Sequence, residues 1–316
     1  VEAPINPMRT HPEARQIALA AGHMRVAAYY FQLAQQYCPP REGRRSLQDI
    51  EPFVFVVRHL CLGWHWQQAY DLLFEEGLHE SMVQWGAWNT LIGLYTRMLP
   101  PNGVLTRKDE GQVLSMLGLL YSRLGDSSQG LGYYQQALAV QREINDVHGQ
   151  VITLTNSGEL FRSQGQNAQA RANFEQALML NRQRYDPLLE CVILHNLGLL
   201  YQAEKDYGQA LSCYLESLKL ARNMHEQYNE GMILTNSGML LYEEGYVVEA
   251  LALLFAAVQL RQSISDPTVG SVLLFLNTLG QRLGSETFVR LCQEARAIRE
   301  TPEEVLARRA ASNMRQ

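Results

Sequence analysis

A regular repeat constrains this chain more than any other feature of its sequence. Glycine recurs at a constant interval inside similar apolar strings, such as SMLGLLY and HNLGLLY. The four repeat glycines are Gly118, Gly158, Gly198 and Gly238. A second small residue follows each of them at the same offset, at Gly130, Ala170, Ala210 and Ala250. A fixed period with small residues at fixed offsets is typical of stacked supersecondary units, which present surface to a partner more often than they catalyse a reaction.

Each 40-residue unit has the apolar spacing of two helices joined by a polar turn. In the second unit, this spacing predicts a first helix over 147–163, a turn at QGQN and a second helix over 168–182. A glycine inside a helix costs about 1 kcal/mol relative to alanine, so close contact between the helices has to offset that cost. We therefore predict that each repeat glycine faces the small residue of the following helix. The recurring aromatic residues that fill the remaining space are Tyr121, Phe161 and Tyr201 in first helices, and Tyr134, Phe174 and Tyr214 in second helices.

These residues carry a family resemblance. The pattern L/S-G-x-L-Y/F, then G-x-x-x-x-A, then Y/F-x-x-A-L resembles the tetratricopeptide repeat, whose standard unit is shorter. The longer unit is similar to that of asymmetric-division adaptors, kinesin light chains and bacterial signal-transduction NTPases with repeat tails. The resemblance implies an all-α, right-handed solenoid of helical hairpins whose first helices line a concave surface. The fourth unit departs from the pattern, with Leu241 and Leu254 at aromatic positions.

Less regular helical segments flank the four repeats. Residues 22–34 and 63–73 carry weaker copies, with Gly22 predicted as a turn glycine, and residues 82–100 are predicted to form a helical hairpin. Near the other end, Thr301-Pro302-Glu303-Glu304 supplies the N-cap, first-turn proline and reciprocal glutamate of a last helix. The predicted loops are 39–49 and 100–110. The predicted regions are divergent hairpins over 1–104, four regular repeats over 105–266 and divergent capping helices over 267–316.

Composition and motifs exclude several classes of partner and site. The net charge of −5 argues against nucleic acid and against an anionic membrane surface as the main partner. The five cysteines are far apart and form no C-x-x-C, so we predict neither a disulfide framework nor a metal site. Walker-type, H-E-x-x-H, G-x-S-x-G and dinucleotide-binding motifs are all missing, so we expect no enzyme, no catalytic residue and no cofactor. With no apolar run of transmembrane length and no signal peptide, we expect a cytoplasmic protein.

A ladder of asparagines is the most specific polar signal. Asn156, Asn196 and Asn236 each lie two positions before a repeat glycine, on a first helix. They follow Thr155, His195 and Thr235. In tetratricopeptide proteins this register commonly contacts bound peptide, and an amide offers both a donor and an acceptor to a peptide backbone. The alternative is that the asparagines tie neighbouring helices together, because asparagine needs a reason to occupy a helix interior.

Further polar residues lie later on the same first helices: Glu159, Arg162, Gln202, Tyr242 and Glu243. They are candidates for the same groove, and a solvated helix face would explain them equally well. The sequence leaves these two interpretations open.

A second resemblance concerns the segment before the repeats, DLLFEEGLHESMVQWGAWNTLIGLYTRMLP. It is similar to the segment that joins the nucleotide switch to the repeats in bacterial signal-transduction NTPases with numerous domains. The resemblance implies an NTPase domain upstream, and the start at Val1 rather than methionine fits a fragment. We expect a sensor whose concave groove binds its trigger, which is a protein, a peptide or a small molecule. Two alternatives stay open, a stand-alone scaffold or adaptor and a peptide-pheromone receptor of the quorum-sensing type.

Overall fold

The computed structural model describes residues 12–314, and all regular elements in that range are helices. The predicted all-α fold of tetratricopeptide-like hairpins is confirmed. The chain divides between Asp146 and Val147 into two compact units. The α-helices of the first unit are α1 Pro12–Tyr37, α2 Glu51–Leu62, α3 Trp66–Glu75, α4 Leu78–Gln84, α5 Trp88–Met98, α6 Arg107–Arg123 and α7 Ser127–Glu143. Those of the second unit are α8 Val147–Ser163, α9 Asn167–Arg184, α10 Pro187–Ala203, α11 Tyr207–Asn223, α12 Gln227–Glu243, α13 Val247–Ser263, α14 Val269–Leu283, α15 Ser285–Ala297 and α16 Pro302–Asn313.

The first unit begins with a single long helix. α1 packs against α2 through Ala27 and Ala34, which are buried. The prediction of a turn at Gly22 is wrong, because Gly22 lies inside α1. A helix tolerates one internal glycine at a cost of about 1 kcal/mol, and no proline interrupts this helix after its first residue.

The segment between α1 and α2 is held by one buried arginine. It contains two short 3-10 helices, Arg41–Gly43 and Leu47–Ile50. The Arg44 guanidinium donates to the backbone carbonyl of Pro39 at 3.0 Å and forms an ion pair with Glu76 at 3.1 Å. These bonds attach the segment to the end of α3. The predicted loop 39–49 is therefore held in one position within the first unit.

The first 40-residue hairpin, α6 and α7, shares a hydrophobic core with the front helices. Val113, Leu117 and Ala137 belong to the same buried cluster as Leu91 and Tyr95 of α5. The division between the compact units therefore falls after this hairpin. The predicted boundary at 104/105 marks where the sequence becomes regular, which is a separate property from continuity of the core, and it stays a prediction.

Left-handed backbone conformations recur with the same 40-residue period. The turns inside the four hairpins have positive φ at Gly125, Gly165, Lys205 and Gly245. The turns that follow each hairpin have positive φ at Asn145, Tyr185, His225 and Ser265. A residue in this conformation commonly ends a helix, and glycine adopts it without steric cost. The turn glycines Gly125, Gly165 and Gly245 therefore belong to the repeat pattern too. They are less evident in the sequence than the repeat glycines inside the first helices, because the third unit has Lys205 at this position.

Each repeat glycine is covered by a large side chain of the following helix. A Cβ atom built on Gly198 would lie 2.5 Å from Tyr214, and one built on Gly158 would lie 2.6 Å from Phe174. The corresponding partners of Gly118 and Gly238 are Tyr134 and Leu254. The sequence predicted alanines as the facing residues. The alanines Ala170, Ala210 and Ala250 are fully buried, but the larger side chain one helical turn further along reaches across to the glycine.

The last helix of the second unit folds back onto earlier second helices. α16 begins with the predicted capping box, in which Thr301 and Glu304 bond to each other's backbone amides. Its residues Val305, Leu306 and Ala310 join the buried cluster of α11 and α13. Polar bonds surround this apolar contact, with ion pairs Arg222–Glu303 and Arg309–Glu249 and hydrogen bonds from Asn313 to Glu244. The sequence predicted the start of this helix but not its docking place.

Among residues 12–314, no helix is both long and apolar enough to cross a membrane. The same residues contain no cluster of three or more His, Cys, Asp or Glu side chains that could hold a metal ion.

Candidate functional site

The first helices of the second unit, α8, α10 and α12, are neighbours in the stack. We call the polar surface that they carry the first-helix face. It comprises Asn156 and Arg162 on α8, Asn196 and Gln202 on α10, and Asn236 and Tyr242 on α12. The structure shows which of these side chains are already bonded inside the protein and which are available to a ligand.

Two of the predicted ligand-binding residues are buried threonines. The Thr155 hydroxyl donates to the backbone carbonyl of Val151 at 2.8 Å, and the Thr235 hydroxyl donates to that of Gly231 at 2.7 Å. Both bonds stay within one helix. Because each hydroxyl proton is used there and each side chain is buried, the threonines contribute no free donor to the first-helix face.

Asn236 ties two neighbouring first helices together. Its side-chain nitrogen lies 2.7 Å from Nε2 of His195 on α10. An amide nitrogen can only donate, so Nε2 accepts and the neutral imidazole carries its proton on Nδ1. Burial, and to a lesser degree the Arg162 cation, lowers the pKa of His195 to about 4. Asn236 therefore ties α12 to α10, which is the alternative role for the asparagines that the sequence left open.

Asn156 and Asn196 differ from Asn236 in having no hydrogen-bond partner within the described part of the chain. Asn196 is 7% exposed and Asn156 is half-buried. The residue one repeat earlier differs between the two asparagines. Asn236 has His195 as its acceptor, whereas the equivalent position before Asn196 is Thr155, whose hydroxyl is bonded within its own helix and makes no hydrogen bond with Asn196.

Arg162 is the charged member of the first-helix face. It is half-buried, and its Nε atom is buried without an acceptor. No carboxylate of residues 12–314 lies within ion-pair distance of its guanidinium, and its positive charge acts on the buried His195. Arg162, Asn156 and Asn196 therefore give the first-helix face N–H donors that make no hydrogen bond within the described chain.

The remaining predicted residues have partners inside the second unit. The Tyr214 hydroxyl donates to Oε1 of Gln202 at 2.9 Å, and Nε2 of Gln202 donates to Glu243 at 3.0 Å. Tyr242 packs edge-on against Phe275, with ring centroids 5.7 Å apart. Tyr214 was predicted only as a core aromatic residue, and its hydroxyl fixes Gln202 in place.

The burial of His195 makes the stability of the second unit depend on pH. The folded chain holds His195 neutral down to pH about 4, whereas an unfolded histidine titrates near 6.5. The unfolded state therefore binds the extra proton first, so stability is complete above pH about 6.5 and falls as the pH is lowered towards 4, by about 3 kcal/mol in total. His195→Gln keeps an acceptor for Asn236 but removes the titrating group. We expect its free energy of unfolding, measured by urea titration at several pH values, to change less between pH 6.5 and 4 than that of the unmodified protein.

The control for this prediction is His225→Asn, which removes an exposed histidine from the turn after α11 and keeps a residue that tolerates the positive φ of that turn. It should leave the slope of stability against pH unchanged. An unaltered slope in His195→Gln would show that His195 is accessible to protons in the folded protein.

Comparison with known proteins agrees with this geometry. Two family models described as tetratricopeptide repeat match the chain, over residues 109–183 and 193–224. The chain carries tetratricopeptide repeats. Repeats of this family form protein-interaction modules and are generally not catalytic. A comparison with curated proteins finds no match.

The solved structures that share the fold include the following two. A Signal Transduction ATPase with Numerous Domains (STAND) protein with a tetratricopeptide repeat sensor, from Pyrococcus horikoshii, matches with a TM-score of 0.55 and 12% identity. The match covers 91% of this chain and 52% of that one, so this chain spans about half the length of the STAND protein. BtubC (BKLC) from P. vanneervenii matches with a TM-score of 0.50 and 18% identity, over 79% of this chain and 92% of that one.

Proposed function

We propose that this chain is the ligand-recognition part of a signal-transduction NTPase and that its first-helix face binds the trigger. The observation that carries the proposal is the set of three unbonded polar side chains, Asn156, Asn196 and Arg162, on adjacent first helices. Side-chain N–H groups that make no hydrogen bond within the described chain are available to donate to the acceptors of a ligand. The groups therefore favour a polar ligand such as a peptide segment of a protein.

The resemblance to the STAND sensor supports the wider setting of the proposal. That protein combines a tetratricopeptide repeat sensor with an ATPase, and most of this chain matches within its structure. In this proposal, an NTPase domain belongs to the same full-length chain, in a bacterial cytoplasm. Binding of the trigger would act by favouring one arrangement of the repeats over another, because a ligand shifts an equilibrium only through its different affinities for two states.

A stand-alone adaptor is the second candidate. The match to BtubC (BKLC) covers 92% of that chain, so a fold of this kind also occurs in a protein that is little longer than the matched part. The full-length gene separates the two candidates. A Walker-type motif upstream supports the sensor, and its absence supports the adaptor.

The binding role of the first-helix face is tested by the double substitution Asn156→Ala, Asn196→Ala. We expect affinity for the captured partner to fall about tenfold or more, because each lost hydrogen bond contributes about 0.5–1.5 kcal/mol. The melting temperature should stay almost unchanged, since neither amide is bonded within the protein. The measurement is capture by the full-length protein with identification by mass spectrometry, followed by titration of the purified partner.

The matched control is Asn223→Ala, which removes an exposed asparagine at the end of α11, a second helix. It should bind the partner as the unmodified protein does. Equal affinity of the double variant and this control would refute binding through the asparagines.

A further inference from the structure

One turn of the first unit has tryptophan at the position where most of the regular repeats have glycine. Trp64, between α2 and α3, has a left-handed backbone with a φ of 67°. The next residue donates its backbone amide to the carbonyl five positions earlier at 2.9 Å, as it does in the turn at Gly125. The buried Ala69 follows Trp64 at the same distance in sequence as Gly130 follows Gly125. Trp64 therefore occupies the turn position that is glycine at 125, 165 and 245.

Tryptophan is an unfavourable residue for this turn. A Cβ atom is strained in the left-handed conformation, and bulky residues rarely adopt it. The indole is also 48% exposed, so complete burial does not offset the strain. The third repeat has Lys205 at the equivalent position, but an exposed lysine is well solvated, whereas an exposed indole is not. A bulky aromatic residue that is both strained and exposed is typical of a functional position.

Trp64 lines a cavity of about 500 Å³, which we call the Trp64 cavity. This volume lies within the range of small-molecule binding sites. The cavity lies between the end of α2 and α5 with the segment that follows it, all within the first unit. Gly93 of α5 leaves room in it, because nothing lies within 4 Å of its virtual Cβ. Among the described residues that line the cavity, none carries a carboxylate.

The polar groups of the cavity are suited to binding rather than to reaction. Arg97 is exposed, and its guanidinium forms no ion pair within residues 12–314. The side-chain nitrogen of Asn102 donates to the backbone carbonyl of Thr96 at 3.3 Å, which leaves its Oδ1 atom as an acceptor. Burial, opposed to a lesser degree by the Arg97 cation, raises the pKa of the Cys61 thiol to about 12. The thiol therefore stays protonated at neutral pH and is no nucleophile.

We propose that the Trp64 cavity binds a small molecule that combines a flat aromatic ring with an anionic group. The ring stacks on the indole of Trp64, and the anion pairs with the guanidinium of Arg97, which matches phosphate or carboxylate with parallel hydrogen bonds. Oδ1 of Asn102 accepts from an N–H group of the ring. A nucleotide and an indole carboxylate both have this chemistry. The site belongs to the first unit and does not depend on the first-helix face.

The first test observes Trp64 directly. Its indole N–H resonance in the full chain, assigned through Trp64→Phe, is followed by NMR during titration with AMP, indole-3-acetate, adenosine or ribose 5-phosphate. We expect saturable shifts with AMP and indole-3-acetate, and binding about tenfold weaker or less for adenosine and ribose 5-phosphate, which lack the charge or the ring. The tighter of the first two compounds identifies phosphate or carboxylate as the anion. Equal responses to all four compounds, or no saturable shift with either ring anion, would overturn the inference.

The second test examines the anion contact. Arg97→Gln should weaken binding of the tighter ring anion about tenfold or more and leave binding of adenosine unchanged, whereas Arg97→Lys should retain part of the affinity. The control is Arg58→Gln, which removes an exposed arginine of α2 that does not line the cavity, and it should bind as the unmodified protein does. Equal loss for the ring anion and for adenosine in Arg97→Gln would contradict pairing of Arg97 with the anion.

The third test separates ligand binding from stability. Trp64→Gly should abolish binding of the ring anions, while the melting temperature stays the same or rises, because glycine adopts the left-handed conformation without strain. Lys205→Gly makes the same replacement at the equivalent turn of the third repeat and should leave binding unchanged. A marked fall in melting temperature in Trp64→Gly alone would assign the indole a structural role, and undiminished binding would exclude stacking on it. Either result would refute the proposed site.

Discussion

Gly198→Ala is expected to lower the free energy of unfolding by about 2 kcal/mol, although alanine is the better helix former. The added Cβ would lie 2.5 Å from Cε1 and 2.6 Å from Cδ1 of Tyr214. That ring is fully buried, and its hydroxyl is bonded to Gln202, so it cannot move away without breaking other contacts. Overpacking of this kind costs about 1–3 kcal/mol, and severe contact with a fixed ring belongs at or above the upper end. The gain of about 1 kcal/mol in helix propensity offsets only part of this cost.

The matched control is Gly270→Ala in α14 of the same unit. Gly270 is exposed, and nothing lies within 4 Å of its virtual Cβ. This substitution should raise stability by up to about 1 kcal/mol through helix propensity alone. Urea denaturation followed by circular dichroism measures both variants. If Gly198→Ala were as stable as Gly270→Ala, the ring of Tyr214 would not occupy the position described.

The packing around Gly198 shows how far the sequence determines the fold. The 40-residue period correctly predicted the helix pairs, because small residues and apolar spacing reflect the contact of two helices. It did not determine whether Ala210 or Tyr214 faces the glycine, since both lie on the same side of α11, one turn apart. The choice depends on the length and direction of the tyrosine side chain, and these follow from the angle between the helices.

The asparagine ladder shows the corresponding limit for the candidate site. The sequence places Asn196 and Asn236 at equivalent positions, yet Asn236 is bonded to His195 and Asn196 has no partner within the described chain. The difference depends on the residue that the preceding first helix presents, histidine in one case and threonine in the other. A periodic pattern identifies equivalent positions, but hydrogen bonding depends on these pairwise differences between repeats.

Docking of α16 could not be predicted from sequence for a similar reason. The capping box at Thr301 and Glu304 is local, so the start of the helix is evident from a short stretch of sequence. The surface on which α16 lies belongs to α11 and α13, far away in the chain. A short amphipathic helix fits several apolar surfaces of a repeat protein, and its sequence does not identify which of them it covers.

Leu306→Ala is expected to lower the free energy of unfolding of the second unit by about 2–5 kcal/mol. Leu306 is fully buried between α16 and the second helices, and replacing a buried leucine with alanine removes apolar contact and leaves a cavity. Leu274→Ala, at an exposed leucine of α14, should change stability by no more than about 0.5 kcal/mol. Thermal and urea melts of both variants measure the difference.

The same experiment separates apolar from ionic attachment of α16. Arg308 pairs with Glu300 at 2.8 Å and with Glu249 at 3.6 Å, but it is exposed, and ion pairs of that kind contribute about 0–1 kcal/mol. We therefore expect Arg308→Ala to cost much less than Leu306→Ala and to lose its effect in high salt. If Arg308→Ala were the more destabilising substitution, charges rather than the buried leucine would hold α16 on α11 and α13. In that case the docking of α16 would weaken as the salt concentration is raised, whereas docking through buried apolar contact should not weaken.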